Sequence, residues 1–246
     1  MKVAVLMACR DRAALTARAL WLLDRQTATD YEVIVLDDGS REDLRSLTSG
    51  CVRRVRYIRT REPGAVERNP NLTWWSGWEA TDAEFVILTM GEVMVPRHAI
   101  STMLLEHEPG RRSVPMMYCL GREQQAQIET VDWRERLTHL HKLPNFWNEK
   151  NPWGWSNRHA STYVHHLNFT GMTRPEWEFF GFLPKTEGRG TDEHWLNARE
   201  AETGHQARGI DLIVYHQHHS RSAFQDPDGS WAGGPESARL NRLRGG

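Results

Sequence analysis

The chain has 246 residues, with 31 Lys and Arg against 32 Asp and Glu, for a formal net charge of −1. That balance argues against a protein built to neutralise phosphate backbones or coat an anionic membrane. A content of 39% hydrophobic and 26% charged residues fits a folded globular chain rather than a disordered one. The unusual feature is tryptophan: 11 of them, against 7 Phe and 5 Tyr. The apolar start, Met1 to Cys9, reads as too short for a signal peptide and is interrupted by Arg10, Asp11 and Arg12. No stretch approaches the ~20 apolar residues of a membrane span, and the best, Phe85 to Pro96, contains Glu92. Cys9, Cys51 and Cys119 are widely spaced and odd in number, so they form neither a disulfide framework nor a CxxC metal site. A reducing, cytoplasmic setting is expected, in which the sequons at Asn71 and Asn168 carry no meaning.

Val3 to Ala8 reads as a buried strand. Asp11 to Gln26 is a helix pattern with Leu15, Ala19 and Leu22 on one face and Asp11 placed to cap it. Glu32 to Leu36 is a second β-branched strand that ends in Asp37-Asp38-Gly39-Ser40. Strand, helix and strand within forty residues make a βαβ unit and imply a parallel sheet. Ligands on such sheets sit at the carboxyl ends of strands, here Ala8 to Arg12 and Asp37 to Ser40. A helix over Arg41 to Leu47, a basic strand over Val52 to Arg59 and a helix within Asn69 to Ala80 follow. Glu84 to Leu88 is a third apolar strand, running through Met90-Gly91-Glu92 to Val93–Pro96, with a helix over Arg97 to Glu106 behind it. Gly110 to Asn168 resists parsing. Strand, helix and strand return over Phe169 to Arg174, Thr191 to Gly204 and Ile210 to His216, before a Gly- and Arg-rich tail. The expected organisation is one α/β domain over 1–220, with a partly disordered tail over 221–246.

Val5 to Leu20 followed by Tyr31 to Ser40 resembles the opening of family 2 glycosyltransferases with the GT-A fold. In that family a strand, a Pro-Thr-Tyr-Asn-Arg-like turn, a helix and a second strand ending in Asp-Asp-Gly-Ser follow one another. Asp11 and Arg12 match the Asn-Arg pair, whereas Ala8, Cys9 and Arg10 depart from Pro-Thr-Tyr. Asn69 to Gly77 and Glu84 to Val93 follow the family order into the metal motif, and Gly190-Thr191-Asp192-Glu193 is similar to its acidic pair at a helix start. The resemblance implies a single GT-A, Rossmann-like domain with a mostly parallel central sheet flanked by helices. Residues 1–100 would form the nucleotide-sugar half and 101–220 the acceptor half. It implies an inverting transfer of a sugar from a nucleoside-diphosphate donor, with UDP the expected nucleotide, to a hydroxyl.

Such a transfer needs a carboxylate to deprotonate the acceptor, a nucleotide site, and positive charge for the departing diphosphate. Asp37 and Asp38 end a buried strand, where a carboxylate can accept from a base N–H and a ribose hydroxyl. The resemblance makes this pair the nucleoside site, Asp38 foremost, helped by Ala8, Arg10, Arg12 and Arg68. Where the family has Asp-x-Asp, this chain reads Met90-Gly91-Glu92. Glu92 falls on the position of the usual direct ligand, and His216 on that of a C-terminal histidine, with His218 and His219 as rivals. Met90 cannot replace a hard carboxylate on Mg²⁺ or Mn²⁺, so a divalent cation is left in doubt. Without one, arginines (Arg10, Arg12 and Arg68) must carry the leaving-group charge. Thr191 reads as an N-cap, with Asp192 and Glu193 in a first turn that stabilises anions. By position Glu193 matches the family's base and Asp192 its acceptor-binding neighbour.

The tryptophans divide by position. Trp21 and Trp195 lie in helix patterns and are expected in the core. Trp74 and Trp75 stand where the family often has an Arg-Asn pair, with Trp78 beside them. Trp147, Trp153, Trp155 and Trp177 lie in or beside the unparsed middle. Sugar rings stack on Trp, so Trp153, Trp155 and Trp177 suit a glycan or glycoside acceptor. Three rival readings compete with this one. The first, a non-catalytic nucleotide-sugar or glycan-binding module, is suggested by Met90. The second is a metal hydrolase built on His194, His216, His218 and His219 with Asp192 and Glu193, which lacks any helical ligand pair. The third is a nucleic-acid partner for Arg53, Arg54, Arg56, Arg59 and Arg61, which strand alternation divides between two faces.

Overall fold

The computed structural model describes residues 1–65, 70–120, 122–130, 167–183, 185, 191–204 and 207–217. At 118, 119, 122–124, 130, 191–194 and 197 it describes the backbone alone. Eight strands form one sheet: β1 Val3–Cys9, β2 Tyr31–Asp37, β3 Arg54–Arg59, β4 Phe85–Met90, β5 Val93–Met94, β6 Arg112–Cys119, β7 Thr170–Thr173 and β8 Ala207–His216. Their order is β3-β2-β1-β4-β7-β6-β8-β5. The first four strands and the β6–β8 pair are parallel, while β7 and β5 run antiparallel to their neighbours. This is the expected α/β architecture with a mostly parallel sheet.

The helices are α1 Ala13–Leu23, α2 Pro70–Glu79, α3 Ala99–Glu106, α4 Arg122–Thr130, α5 Arg174–Phe180 and α6 Thr191–Thr203. Strand periodicity divides the core between the two sheet faces. Val3, Val5 and Met7 of β1 pack with Ala19, Leu20 and Leu23 of α1 and Ile100 and Met103 of α3. Ala4 and Leu6 face the other way, into Trp74, Trp78, Trp177, Phe180 and Leu196 from α2, α5 and α6. Of the six described tryptophans, Trp74, Trp78 and Trp177 are buried, while Trp75, Trp195 and Trp21 are partly buried and pack against the core clusters.

Several local expectations fail for identifiable reasons. The Arg41–Leu47 helix is absent; a single 3-10 turn at Arg45–Thr48 stands there instead. Asp11 does not cap α1. It and Arg12 both adopt left-handed backbone, at φ 52° and 62°, and the Asp11 Oδ1 accepts from the Arg41 N–H at 2.7 Å. The Glu42 carboxylate accepts from the Ala13 N–H in its place. In the unparsed middle, β6 carries Pro115 at an interruption of the β6–β8 register, where a missing N–H is tolerated. The strand also begins with a fully buried Arg112, which hides its apolar pattern.

Glu176 opens α5 and ties it to the loop after α3. Its carboxylate accepts from the Thr173 N–H at 2.8 Å, the Gly110 N–H at 2.6 Å and the His107 Nε2 at 2.9 Å. Burial pushes this carboxyl up, but those donors and the Thr173 hydroxyl outweigh it, and its pKa lies below the ordinary value. A depressed carboxyl contributes stability above its unfolded pKa and loses it as pH falls through the folded one. Glu176→Gln should therefore flatten the fall of Tm between about pH 5 and pH 3. An unchanged acid slope would contradict this role.

Candidate functional site

The parallel registers set one rim. Cys9 lies opposite Asp37, Ala8 opposite Met90, and Asp37 opposite Arg59. The carboxyl ends of β1 to β4 therefore fall on a common edge. Because the chain adds β2 and β3 on one side of β1 and then β4 on the other, the strand order reverses there, which is where open α/β sheets bind ligands. The ladders continue one residue beyond the strands, with Asp38 N–H donating to the Cys9 carbonyl at 2.8 Å and Gly91 N–H to that of Ala8 at 2.9 Å.

Two glycines are dictated by this edge. Gly39 sits at φ 76°, and a Cβ there would lie 2.5 Å from the Glu62 carbonyl oxygen. At Gly91 a Cβ would come within 2.7 Å of the Thr16 hydroxyl and 2.8 Å of the Cys9 sulfur. Burial pushes the Cys9 thiol far up, with Glu92 and Asp37 adding to the effect, so it is an inert packing residue.

The acidic pair divides its work. Asp37 is buried, and both carboxylate oxygens are engaged inside the protein. Oδ1 accepts from the Ser40 N–H at 2.8 Å, while Oδ2 accepts from the Tyr57 hydroxyl and pairs with Arg59 Nη2 at 3.2 Å. Asp37 thus holds the turn together. Asp38 lies between two guanidinium groups, Arg61 Nε at 3.2 Å and Arg10 Nη1 at 3.7 Å. Arg10 also donates to the Ala65 carbonyl. Arg61 belongs with these residues, although the sequence reading placed it only in a basic run.

Across the rim, Glu92 meets Arg12. The Glu92 Oε1 lies 3.0 Å from Arg12 Nη1 and 3.8 Å from His216 Nε2. The antiparallel pairing of Val93 with His216 brings the histidine there. Gln217, fully buried, donates its backbone N–H to the Glu92 carbonyl at 3.0 Å and its side-chain amide to the Leu15 carbonyl at 3.0 Å, locking the end of β8 to α1. Arg12 owes its aim to strained backbone, since non-glycine residues with left-handed φ are uncommon and persist where surrounding contacts enforce them. Ser40 accepts from the Asp11 N–H at 2.7 Å and helps hold that turn. Burial lowers the Arg12 pKa, and the charges of Glu92 and Asp11 oppose the shift.

The expected metal position can be tested on its donors. Met90 offers a soft thioether, and Glu92 is already paired with a guanidinium. Among the described residues, no group of three or more His, Cys, Asp or Glu side chains gathers to hold a metal ion. Hard divalent cations need several oxygen donors, so the described residues do not fit such an ion.

Trp177 departs from its expected acceptor role. It is fully buried, its indole N–H donates to the Val86 carbonyl at 3.0 Å, and Phe180 and Phe182 meet it edge-on. Trp74 is likewise buried, with its N–H on the Thr89 carbonyl at 3.3 Å. Trp75 donates to the Leu183 carbonyl at 2.8 Å. Neither ring of the buried pair has a face to offer a sugar. Trp147, Trp153, Trp155, Arg68, His218, His219 and the tail lie outside the described residues. Asp192 and Glu193 fall in the first turn of α6, as expected, with their side chains outside the description.

The basic strand is consumed by ion pairs. Arg54 and Arg56 share Glu32, at 3.6 and 3.0 Å, while Arg59 and Arg61 meet Asp37 and Asp38. No described helix is long and apolar enough to cross a membrane.

Comparison with known proteins agrees with the fold. Residues 4–72 match the model of glycosyl transferase family 2. No curated protein matches the sequence. Among solved structures, S. aureus TarS in complex with UDP-GlcNAc is 11% identical, with a TM-score of 0.58 over 89% of this chain and 59% of that one. Glucosyl-3-phosphoglycerate synthase from Mycobacterium tuberculosis, solved with Mn²⁺, UDP and glucosyl-3-phosphoglycerate, is 14% identical, with a TM-score of 0.56 over 90% and 74%. The mannosyltransferase PcManGT from Pyrobaculum calidifontis, with GDP-Man and Mn²⁺, is 15% identical, with a TM-score of 0.57 over 99% and 61%. The chain thus spans less than two thirds of the length of TarS and PcManGT. At these identities the likeness establishes the fold, which is GT-A, and the resemblance to family 2 glycosyltransferases holds on the opening segment.

Proposed function

We propose that this chain transfers a sugar from a nucleoside-diphosphate donor to an acceptor hydroxyl with inversion at the anomeric carbon. The observation that carries the reading is the convergence of Ala8–Arg12, Asp37–Ser40 and Met90–Glu92 on one edge, with Asp38 between Arg10 and Arg61. A carboxylate there suits a base N–H or ribose hydroxyl, and the adjacent arginines suit phosphate oxygens. Asp38 would address the nucleoside of a UDP-sugar or another nucleotide sugar, with Ala8 and Arg10 beside it. Glu193 would act as general base at the start of α6, with Asp192 orienting the acceptor, a glycan or glycoside stacked on Trp153 and Trp155. The acceptor oxygen bonds to C1 as the C1–O bond to the diphosphate breaks. The electron pair leaves on the diphosphate, and the acceptor proton passes to Glu193.

The test is release of nucleoside diphosphate from a panel of UDP-, GDP-, dTDP- and CDP-sugars. One base class should be turned over, and Asp38→Asn should weaken that donor by about tenfold or more, the worth of a hydrogen bond to a charged group. Binding without turnover for any acceptor would favour the non-catalytic module that Met90 suggests. Turnover unaffected by Asp38→Asn would refute the donor site.

A further inference from the structure

We infer that this chain holds the donor diphosphate without a divalent cation, the guanidinium of Arg12 supplying the positive charge in front of Glu92. The inference rests on the donor site proposed above. Three independent observations support it.

The first is the chemistry of the donors: a thioether at Met90 and a single carboxylate at Glu92 replace a pair of acids. The second is occupancy of that carboxylate, whose Oε1 accepts Arg12 Nη1 at 3.0 Å with His216 Nε2 at 3.8 Å. A divalent ion on this oxygen would sit beside a permanent positive charge, and guanidinium does not deprotonate to make room. The third is construction. Asp11 and Arg12 keep consecutive left-handed backbone, fastened by Ser40, Arg41 and Glu42 from the neighbouring strand end. Such strain persists only where surrounding contacts enforce it, and it clusters at active sites and ligand clamps. Arg12 is also largely buried, with 13% of its side chain exposed against 14% for Glu92, so the charge is fixed in place and weakly screened. Arg10, two residues earlier on the same edge, provides a second guanidinium. A planar fork can bind phosphate oxygens through paired N–H groups, which a compact ion cannot do. Glu92 then serves to orient Arg12 instead of ligating a metal.

The experiment uses the full chain, stripped with EDTA and titrated calorimetrically with UDP, GDP, dTDP and CDP, in the absence and presence of Mn²⁺. The best-bound nucleotide should change its Kd by less than about threefold on adding Mn²⁺. Arg12→Gln should weaken it by about tenfold or more while leaving the matching nucleoside unaffected. Glu92→Gln removes a negative charge from the phosphate site, so it should bind the diphosphate at least as well as the native chain. Binding that appears only with Mn²⁺ would overturn the inference and leave the transferase reading standing. So would a loss of tenfold or more in Glu92→Gln that is confined to Mn²⁺. Mn²⁺-independent binding that survives Arg12→Gln undiminished would overturn the role of Arg12. Binding of none of the four nucleotides under either condition would overturn both readings. The native and Glu92→Gln titrations decide the question if Arg12→Gln does not fold.

Discussion

Glu193→Gln is expected to lower sugar transfer by about 10²- to 10⁴-fold, the range over which a positioned general base contributes. Nucleotide affinity should stay within about threefold of the native value. The substitution keeps the shape of the side chain and one acceptor oxygen but replaces the basic carboxylate with an amide, which is too weak a base to take the acceptor proton. Helix first turns favour anions in general, which suits a carboxylate at that position. The split between kcat and nucleotide Kd separates this role from a structural one, because a variant with a disturbed helix start would lose both together. Retained transfer would remove Glu193 from the mechanism and direct attention to Asp192.

Arg112→Met should cost about 3–5 kcal/mol of stability, as expected when one partner of a buried ion pair is removed. For a chain of this size that corresponds to a fall in Tm of roughly 6–20 °C. Arg112 begins β6 with no exposed side-chain surface, and its Nη2 lies 2.7 Å from Glu200 Oε1 while its Nη1 donates to the Thr170 hydroxyl at 3.1 Å. Burial lowers the pKa of Arg112 and raises that of Glu200, in each case against the pull of the partner's charge. Without Arg112, Glu200 is a largely buried anion that has lost the charge offsetting its desolvation. The deficit should therefore shrink as pH falls, because a carboxyl with a raised folded pKa takes up a proton more readily folded than unfolded. The double variant Arg112→Met with Glu200→Met should recover most of the loss, since apolar replacement of a whole buried pair is often neutral or stabilising. A single substitution as stable as the native protein would show that the pair does not anchor α6. Because α6 carries Asp192 and Glu193 at its other end, Arg112→Met should also reduce transfer more than it reduces nucleotide binding.

The first forty residues were legible because local signals agree there: apolar runs of strand length, a 3.6-residue periodicity, and Asp-Gly at a turn. Register then did what sequence cannot, setting Asp37 against Tyr57 and Arg59 and leaving Asp38 as the carboxylate beside Arg10 and Arg61. The Arg12–Glu92 pair joins residues eighty positions apart, and His216 reaches it only through the antiparallel pairing of β5 with β8. The spacing of Met90, Gly91 and Glu92 raised the question of the metal but gave no view of the guanidinium opposite. Strand β6 was obscured by a buried arginine and an internal proline, both of which break the apolar pattern that marks a strand. The tryptophans misled at Trp177 for a simple reason: a ring that can stack on a sugar is also a large apolar surface, and here it fills the layer between β4 and α5.

The most direct measurement is a thermal-shift panel of the full chain with UDP-, GDP-, dTDP- and CDP-sugars, with and without Mn²⁺. A ligand at 100 times its Kd stabilises the native state by about 2.7 kcal/mol, which in a chain of this size raises Tm by roughly 5–10 °C. The account predicts such a rise for sugars of one base class, and the same rise without Mn²⁺ as with it. No response to any of the four in either condition would contradict it.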